Sequence, residues 1–338
     1  MENNLEEWVA LAKQGNQTAI ETVLGAIQDR VYGLARRMLW HPADAEDASQ
    51  EILLKVLTRL STFQHDSSFL TWVYHIACNH LLTMRKQRAE AKVQTFEDFD
   101  RMLEENQGAN GLQVDERGED WLLVEEIKIG CTMGLLLCLD REERVAFILG
   151  EIFEVSGPEA ALILSVPAAT YRKRLSRARQ RVYAFVQERC GLVNQAAACR
   201  CARVAATQKA RRSKAFTERL VFAGPLLAQR THPQIVAGMQ ELTTLDRKSA
   251  LFRSHPDYQA PRAFVEEVRK LLSSGQFQLL AEGRRSWLTT RKAHDECFST
   301  AGGSAHFPGA ARGVVNTGAA QRRRKHARDR TNSGNHRI

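Results

Sequence analysis

Apolar residues recur every three or four positions over long stretches of this 338-residue chain, whereas alternating β-branched residues are rare. An α-helix places residues with this spacing on one face, while a half-buried strand would require a period of two. The periodicity therefore predicts an all-α protein. The length exceeds that of one ordinary domain and favours two or three.

Composition divides the chain into five segments. The predicted order is a helical domain at 1–90, a flexible acidic linker at 91–126, a second helical domain at 127–190, a Cys-containing and partly helical extension at 191–283, and a disordered basic tail at 284–338. The linker prediction depends on 12 acidic and 3 basic residues between positions 90 and 126, together with three glycines. A further helix is predicted in the extension at Pro261 to Leu272.

The charge and the motif content exclude several classes of protein. The net charge is +9, but residues 281–338 carry +8 of it, so total charge alone does not argue for DNA binding by the folded part. No apolar run is long enough to span a bilayer, and the acidic start lacks a signal peptide, so we expect a cytoplasmic protein without membrane insertion. Seven cysteines, an odd number, argue against a disulfide framework. Glycine-rich phosphate loops, paired-His zinc helices and serine-nucleophile elbows are absent, so no enzymatic activity is expected.

Two helices joined by a tight turn are predicted after a helix that Asp140 can cap. Ser156 and Glu159 have capping-box spacing, and Pro158 is tolerated in a first turn, so a short helix should begin there. Residues 165–169, which include Pro167, form the predicted turn before the next helix.

The helix after this turn has two distinct faces. Its apolar stripe consists of Tyr171, Leu175, Ala178, Val182 and Phe185. Lys173, Ser176, Arg177 and Gln180 lie opposite, with Arg172, Arg174, Arg179 and Arg181 on the flanks. An apolar back, a polar front and cationic flanks are what a helix needs to dock in the DNA major groove. A solvated basic helix is the alternative interpretation, which the preceding capped helix and turn disfavour.

Residues 155–179 resemble region 4 of the sigma-70 family, the module that reads the promoter −35 element. The resemblance implies that DNA is contacted by Thr170, Arg172, Lys173, Ser176, Arg177 and Gln180. The chain departs from the family pattern at Ala169, where glycine is usual, and at Tyr171, where a small aliphatic residue is usual. Neither residue blocks the helix, but both bear on the geometry of the turn.

An acidic helix start is predicted at Asp44 to Glu51, where carboxylates complement the positive end of the helix dipole. A stabilised helix terminus is by itself a sufficient explanation of these acidic residues. The segment is nevertheless similar to sigma region 2.2. That similarity implies contacts with core RNA polymerase by Asp47, Gln50, Glu51 and Leu54.

Residues 63–88 join a polar loop to a helix that carries Thr71-Trp72 and, further on, Ile76 and Asn79. Helical projection places Phe69, Val73, Ile76, His80 and Met84 on its apolar face. The segment resembles the part of sigma region 2 that captures a base flipped out of the −10 element. The implied DNA contacts are His65, Asp66, Ser67, Trp72, Asn79, Arg85 and Lys86. A pocket for the base and cations on the phosphates can offset the cost of unstacking. For Trp72, core packing is an equal alternative.

Three cysteines follow the predicted recognition helix, at Cys190, Cys199 and Cys201. They could ligate zinc or respond to oxidation, and Arg200 and Arg203 would then lower the thiol pKa. Their spacing matches no common zinc module and no fourth ligand is visible. We therefore expect no metal and no cofactor, with zinc on these thiols as the alternative.

Both modules occur in the order found in sigma factors of the extracytoplasmic-function type, so the chain resembles that family with a C-terminal extension added. The resemblance implies a subunit that binds core RNA polymerase and promoter DNA and directs transcription initiation, with an anti-sigma protein as a further candidate partner. The alternative is a helix-turn-helix regulator that binds operators alone and carries a metal- or redox-sensing C-terminal module. Such a regulator would require a dimerisation surface and two half-sites.

Overall fold

The computed structural model describes residues 2–84, 95–106, 114–115, 120–211, 220–229 and 244–261, and the single positions 266 and 270. Its α-helices are α1 (Glu2–Lys13), α2 (Gln17–Leu39), α3 (Pro42–Arg59), α4 (Phe69–Thr83), α5 (Phe96–Asn106), α6 (Trp121–Leu137), α7 (Arg141–Phe147), α8 (Gly157–Ile163), α9 (Ala168–Arg189), α10 (Cys201–Arg211), α11 (Gly224–Gln229) and α12 (Thr244–Arg253). A 3₁₀ turn at Leu60–Thr62 follows α3, and a π-helical segment at Ile148–Ile152 follows α7.

The all-α prediction is confirmed over the described ranges, which contain no strand and one isolated bridge between Cys190 and Cys199. Within the same ranges no helix combines the length and the apolar character needed to cross a membrane. The predicted basic tail at 284–338 and most of the helix predicted at Pro261 to Leu272 lie outside the described residues.

Helices α1 to α4, residues 2–84, form the first block, with α2 at its centre. The Asn16 side chain caps α2 by accepting a hydrogen bond from the Ala19 amide at 2.9 Å. From Val31 to Leu39 every residue of α2 is buried, because this half of the helix is covered on all sides by its neighbours. Helix α3 begins at Pro42, two residues before the predicted start at Asp44.

Helices α6 to α9 and the π-helical segment, residues 121–189, form the second block. Asp140 caps α7 as predicted, since its carboxylate accepts a hydrogen bond from the Glu143 amide at 2.7 Å. The buried guanidinium of Arg144 connects the two blocks, because it donates to the Met38 carbonyl of α2 at 2.6 Å and to the Leu136 carbonyl of α6 at 2.9 Å.

Helix α5 lies in the acidic segment and packs against the second block. Phe99 is buried, and its ring centroid lies 5.8 Å from that of Phe185 on α9. Asp100 forms an ion pair with Arg189 at the end of α9. Part of the acidic segment is therefore held by apolar and ionic contacts.

Residues 220–229 and 244–261 form what we call the strap, since they run across both blocks. The strap contributes buried apolar side chains to the common core: Phe222, Leu226, Leu251, Phe252 and Tyr258. The Phe252 and Phe147 rings meet edge to face with centroids 5.1 Å apart.

Candidate nucleic-acid interface

The first helix of the predicted helix-turn-helix, α8, begins where its sequence predicts. The Ser156 hydroxyl accepts a hydrogen bond from the Glu159 amide at 3.4 Å, and Pro158 lies in the first turn. The Glu159 carboxylate accepts a hydrogen bond from the Thr71 hydroxyl of α4 at 2.7 Å. That carboxylate thus contacts the first block, although the capping-box spacing suggested a purely local role.

The turn between α8 and α9 is shorter than predicted, because α9 begins at Ala168. Ser165 takes the left-handed conformation that reverses the chain, with φ 51°. The Val166 amide then donates to the Ala161 carbonyl at 3.1 Å. Ala169 lies inside α9, where the backbone makes no special demand, so alanine is compatible with this turn.

Tyr171 anchors α9 to the second block. Its side chain is 1 % exposed and packs beside Leu175 against the π-helical segment. A Cβ atom at Gly150 would lie 2.6 Å from the Tyr171 hydroxyl and 2.8 Å from a Leu175 methyl group, so the absence of a side chain there permits the close approach. Burial raises the pKa of Tyr171, which keeps the hydroxyl neutral.

Helix α9 has the two faces that its sequence predicts. Buried along its length are Tyr171, Leu175, Ala178, Val182 and Val186, while Phe185 is half-buried. The exposed face carries Arg172, Lys173, Ser176, Arg177 and Gln180, with Thr170 half-buried at the start. Five of the six predicted −35 contacts are therefore exposed along one side of a single helix.

Three flanking arginines of α9 are bound to carboxylates of the second block. Arg174 pairs with Glu142, Arg181 pairs with Glu143 at 2.7 Å, and Arg179 pairs with Glu151. The Glu151 side chain is only 4 % exposed, and it also accepts hydrogen bonds from the hydroxyls of Tyr183 and Ser249. The helical projection predicted that all the flanking arginines are available to DNA phosphates. For Arg174, Arg179 and Arg181, a phosphate would have to compete with these carboxylates.

The loop before α4 is held by an aromatic cluster. The buried ring of Phe63 lies 5.4 Å from that of Phe69 and 5.5 Å from that of Trp72, centroid to centroid. Ser68 caps α4 by accepting a hydrogen bond from the Thr71 amide at 3.1 Å. Trp72 packs within this cluster and is nevertheless partly exposed, so core packing does not bury it completely.

The other predicted −10 residues lie at the surface around this cluster. His65 and Asp66 are exposed, and Ser67 is half-buried. Asn79 is exposed on α4, with its side-chain amide 3.0 Å from a ring nitrogen of His75. Arg85 and Lys86 lie outside the described residues.

The predicted polymerase contacts share one face of α3. Asp47 and Glu51 are exposed, and Gln50 and Leu54 are half-buried. The opposite face packs into the first block with Ala45, Ala48, Ile52, Leu53, Val56 and Leu57. The exposed carboxylates of Asp47 and Glu51 thus lie where a partner could reach them.

A buried histidine connects this face to α4. A ring nitrogen of His80 contacts the Lys55 ammonium, and the other lies 3.6 Å from a Glu51 carboxylate oxygen. Burial and the neighbouring Lys55 lower the pKa of His80, while Glu51 opposes that shift. A neutral histidine therefore joins the helix expected to contact polymerase to the helix expected to contact DNA.

The three predicted cysteines line one small apolar cavity, and a fourth, Cys131 of α6, joins them there. Cys190 and Cys199 are bridge partners, and the Gly191 amide donates to the Cys199 carbonyl at 3.2 Å. No sequence signal pointed to Cys131, because it lies far upstream of the other three cysteines. Among the described residues, no group of three or more His, Cys, Asp or Glu side chains is arranged to hold a metal.

The acidified thiols that the zinc or redox alternative would require are not found at Cys190 and Cys199. Burial raises the pKa of Cys199 to about 11, although Arg200 and Arg203 act in the opposite direction. Burial also raises the pKa of Cys190 and Cys131. The apolar cavity therefore outweighs the arginines, since removing a thiolate from water costs more than these cations return.

Comparison with known proteins gives two matches that coincide with the two blocks. Residues 24–90 match sigma-70 region 2, and residues 129–182 match sigma-70 region 4. The chain belongs to the sigma-70 family, as a sigma factor of the extracytoplasmic-function type. Residues 183–338 of this sigma factor lie outside both family models.

Curated relatives cover about half of this sigma factor and nearly all of their own length. The RNA polymerase sigma-H factor of Pseudomonas aeruginosa is 28% identical, with 52% of this chain and 91% of the relative covered. The ECF RNA polymerase sigma factor SigW of Bacillus subtilis is 28% identical over 53% of this chain and 95% of its own. The ECF RNA polymerase sigma-E factor of Escherichia coli K12 is 29% identical over 53% and 92%.

Two solved structures match about half of the chain. A chain from the structure of CnrH in complex with the cytosolic domain of CnrY gives a TM-score of 0.38 at 22% identity, covering 53% of this chain and 95% of that one. The sigma factor RpoE in complex with the anti-sigma factor NepR from Bartonella quintana gives a TM-score of 0.33 at 20% identity, covering 48% of this chain and 94% of that one.

Proposed function

We propose that this sigma factor docks on core RNA polymerase through the exposed acidic face of α3 and directs the enzyme to promoters by two DNA contacts. Helix α9 reads the −35 element in the major groove, and the loop and helix α4 capture a base of the −10 element. It is a specificity subunit and not an enzyme. Its work with polymerase places it in the cytoplasm.

The exposed polar side of α9 carries this proposal. Arg172, Lys173 and Arg177 project from a helix whose opposite side is fixed in the second block by Tyr171 and Leu175. A rigid backing is what allows side chains to reach base edges in a defined register. Arg177 lies in the middle of the exposed side and suits a guanine edge, which arginine contacts through two hydrogen bonds.

Strand separation at the −10 element uses the aromatic cluster and the edge of α4. A base that leaves the stack loses a few kcal/mol, which stacking on a protein aromatic ring and polar contacts to the base can offset. The partly exposed Trp72 offers the ring, and His65 and Asn79 offer hydrogen-bonding groups nearby on the loop and helix. This chemistry needs no nucleotide hydrolysis.

An anti-sigma protein is a further expected partner. It would act by covering the surface that docks on polymerase, the exposed side of α3 around Asp47 and Glu51. Copurification with the untagged protein, followed by competition with core polymerase, would identify it.

The decisive measurement is run-off transcription with purified core polymerase on genomic fragments. We expect promoter-specific transcripts only when the sigma factor is present. The Arg177→Ala variant should lose about 1–3 kcal/mol of −35 discrimination, since it removes a base-reading side chain and leaves the helix in place. Promoter preference is measured by the relative yield from templates with single substitutions in the −35 element.

Arg101→Ala is the matched control, because Arg101 is an exposed arginine on α5 and is not one of the proposed DNA contacts. It should leave promoter preference unchanged. If Arg177→Ala also left it unchanged, Arg177 would not read a base. If the isolated protein bound a DNA site tightly and started no transcripts with polymerase, the alternative of a stand-alone regulator would replace this proposal.

A further inference from the structure

The first half of the strap is attached to the first block through Phe222. This side chain is 6 % exposed and meets the Trp40 ring edge to face, with centroids 4.9 Å apart. The Arg36 guanidinium lies over the Phe222 ring at 5.6 Å and donates to the Val221 carbonyl at 3.0 Å. The C-terminal end of α2 therefore holds this segment by an aromatic contact, a cation–π contact and a hydrogen bond.

The same segment is attached to the second block through a single buried carboxylate. Glu126 of α6 accepts hydrogen bonds from three consecutive amides, those of Val221, Phe222 and Ala223, at 2.9, 2.8 and 2.7 Å. A Cβ atom at Gly130 would lie 3.2 Å from the Phe222 ring, so α6 leaves space for the ring. Residues 221–223 are thus bound to both blocks at once.

The second half of the strap repeats this double attachment. Tyr258 is 4 % exposed, and its ring lies 4.9 Å from the Arg37 guanidinium of α2. The Ala260 amide donates to the Asp29 carboxylate of α2 at 2.8 Å. On the other side, Arg253 donates to the backbone carbonyl of Glu151 in the second block at 2.7 Å.

Between these attachments the two blocks also touch each other directly, where α4 packs against α8. Thr71 of α4 donates to Glu159 of α8 at 2.7 Å, and a ring nitrogen of His75 lies 2.9 Å from the Ile163 carbonyl. Packed helices lie about 8–10 Å apart, axis to axis. Elements centred near −35 and −10 are separated by about 25 base pairs, or roughly 85 Å at about 3.4 Å per base pair. The described arrangement cannot engage both elements at the same time.

We propose that the strap is an intramolecular latch, which holds the first and second blocks in a closed state that cannot read a promoter and is released when polymerase binds. This inference rests on the proposed function. The strap contacts α2, α6, α7, the π-helical segment and Tyr183 of α9. It leaves Asp47 and Glu51 of α3 and Arg172, Lys173 and Arg177 of α9 exposed. Polymerase can therefore bind the closed protein first and favour the open one, because only the open state offers all the contacts.

The test compares Phe222→Ala with the matched neighbour Val221→Ala. Val221 is 41% exposed and is held through its backbone, so its truncation keeps the hydrogen bonds to Glu126 and Arg36. Phe222→Ala removes the ring that packs against both blocks. Since polymerase favours the open state, loosening the latch lowers the free-energy cost of opening, and Phe222→Ala should bind core polymerase about tenfold more tightly than wild type.

Hydrogen exchange on the full-length proteins supplies the second readout. Amides 221–223 should exchange slowly in wild type and in Val221→Ala and faster in Phe222→Ala. In wild type their protection should fall when core polymerase is added. Asp29→Ala serves as a second variant, because Asp29 is exposed on α2 and its truncation removes the bond to Ala260 without opening the core. It should tighten polymerase binding in the same direction by a smaller factor.

Equal or weaker polymerase binding by both Phe222→Ala and Asp29→Ala would overturn the latch, as would unchanged protection of amides 221–223 after polymerase binding. If circular dichroism shows that Phe222→Ala does not fold, the polymerase affinity of Asp29→Ala alone tests the latch. Failure of the proposed function has a different signature: no promoter-specific transcript with wild type or with any variant. If only the latch proposal fails, promoter-specific transcripts are still made, and wild type and variants bind core polymerase with the same affinity.

Discussion

At position 150 the second block has no room for a side-chain carbon. The Tyr171 hydroxyl and a Leu175 methyl group occupy the space where a Cβ atom would lie. Tyr171 stands where the family usually has a small aliphatic residue, so the larger ring and the glycine opposite it fit as a pair. The position of α9 thus depends on glycine at position 150, which has no Cβ atom.

We expect Gly150→Ala to lower the free energy of unfolding by about 1–3 kcal/mol, the usual cost of overpacking. Gly25→Ala is the matched control, since Gly25 lies on the exposed side of α2 with nothing within 4 Å of the added carbon. That variant should gain about 0.5–1 kcal/mol, because alanine loses less backbone entropy in a helix. Urea denaturation followed by circular dichroism measures both. Equal stability of the two variants would contradict the packing argument.

Among elements, α9 divides its cations into two groups. Arg172, Lys173 and Arg177 are exposed, while Arg174 and two others are paired with carboxylates. Only cations that neutralise phosphates release counterions, and each contributes about 0.9 to the slope of log K against log salt. The two groups are therefore distinguishable by salt dependence.

Arg172→Ala should reduce the magnitude of that slope by about 1, and Arg174→Ala should change it little. The measurement is the affinity of the holoenzyme for −35 duplex DNA at salt concentrations from about 50 to about 200 mM. Charge and position are matched, since both arginines lie in the first turns of the same helix. A reduction of equal size for both variants would show that the pairing with Glu142 does not hold against phosphate.

Local signals in the sequence were sufficient to predict α8 and α9. Caps at Asp140 and Ser156 and the stripe from Tyr171 to Val182 act over a few residues, and the structure confirms them. The partners of these elements could not be predicted in the same way. The Glu159 carboxylate contacts a residue 88 positions away, and Cys131 joins thiols on a distant loop. Such contacts depend on how helices pack, which periodicity does not encode.

The candidate site shows the same division. Exposure of Arg177 and Gln180 follows from helical projection, and so does the exposed face of α3. The pairing of the flanking arginines with Glu142, Glu143 and Glu151 cannot be predicted from helical projection, because those carboxylates come from α7 and the π-helical segment. Neither can the raised thiol pKa at Cys199, which results from burial that only the folded chain creates.

For the molecule as a whole, the two blocks and the strap share one apolar core. Phe147 of the second block packs on Phe252 of the strap, and Tyr258 of the strap packs on Arg36 and Arg37 of the first block. Separate domains joined by a linker would unfold independently, whereas parts with a common core unfold together.

We therefore expect a single calorimetric transition for the full-length protein, with calorimetric and van't Hoff enthalpies in agreement. Phe222→Ala should broaden the transition or resolve it in two, because it weakens the contacts that couple the blocks. Val221→Ala should keep the wild-type profile. Two well-separated transitions in the wild-type protein would show that the common core contributes little to cooperativity.

Arg144 places a permanent positive charge where the ends of α2 and α6 converge. Its guanidinium is surrounded by backbone oxygens of Met38, Leu136, Leu137 and Leu139, at 2.6 to 3.3 Å. Drawing the blocks apart would leave the Met38 oxygen, which is now buried, without this donor. When the blocks separate, water must therefore hydrate the Met38 oxygen and the part of the guanidinium that becomes exposed. The hydration of this junction is one component of the free-energy barrier between the closed and the open protein.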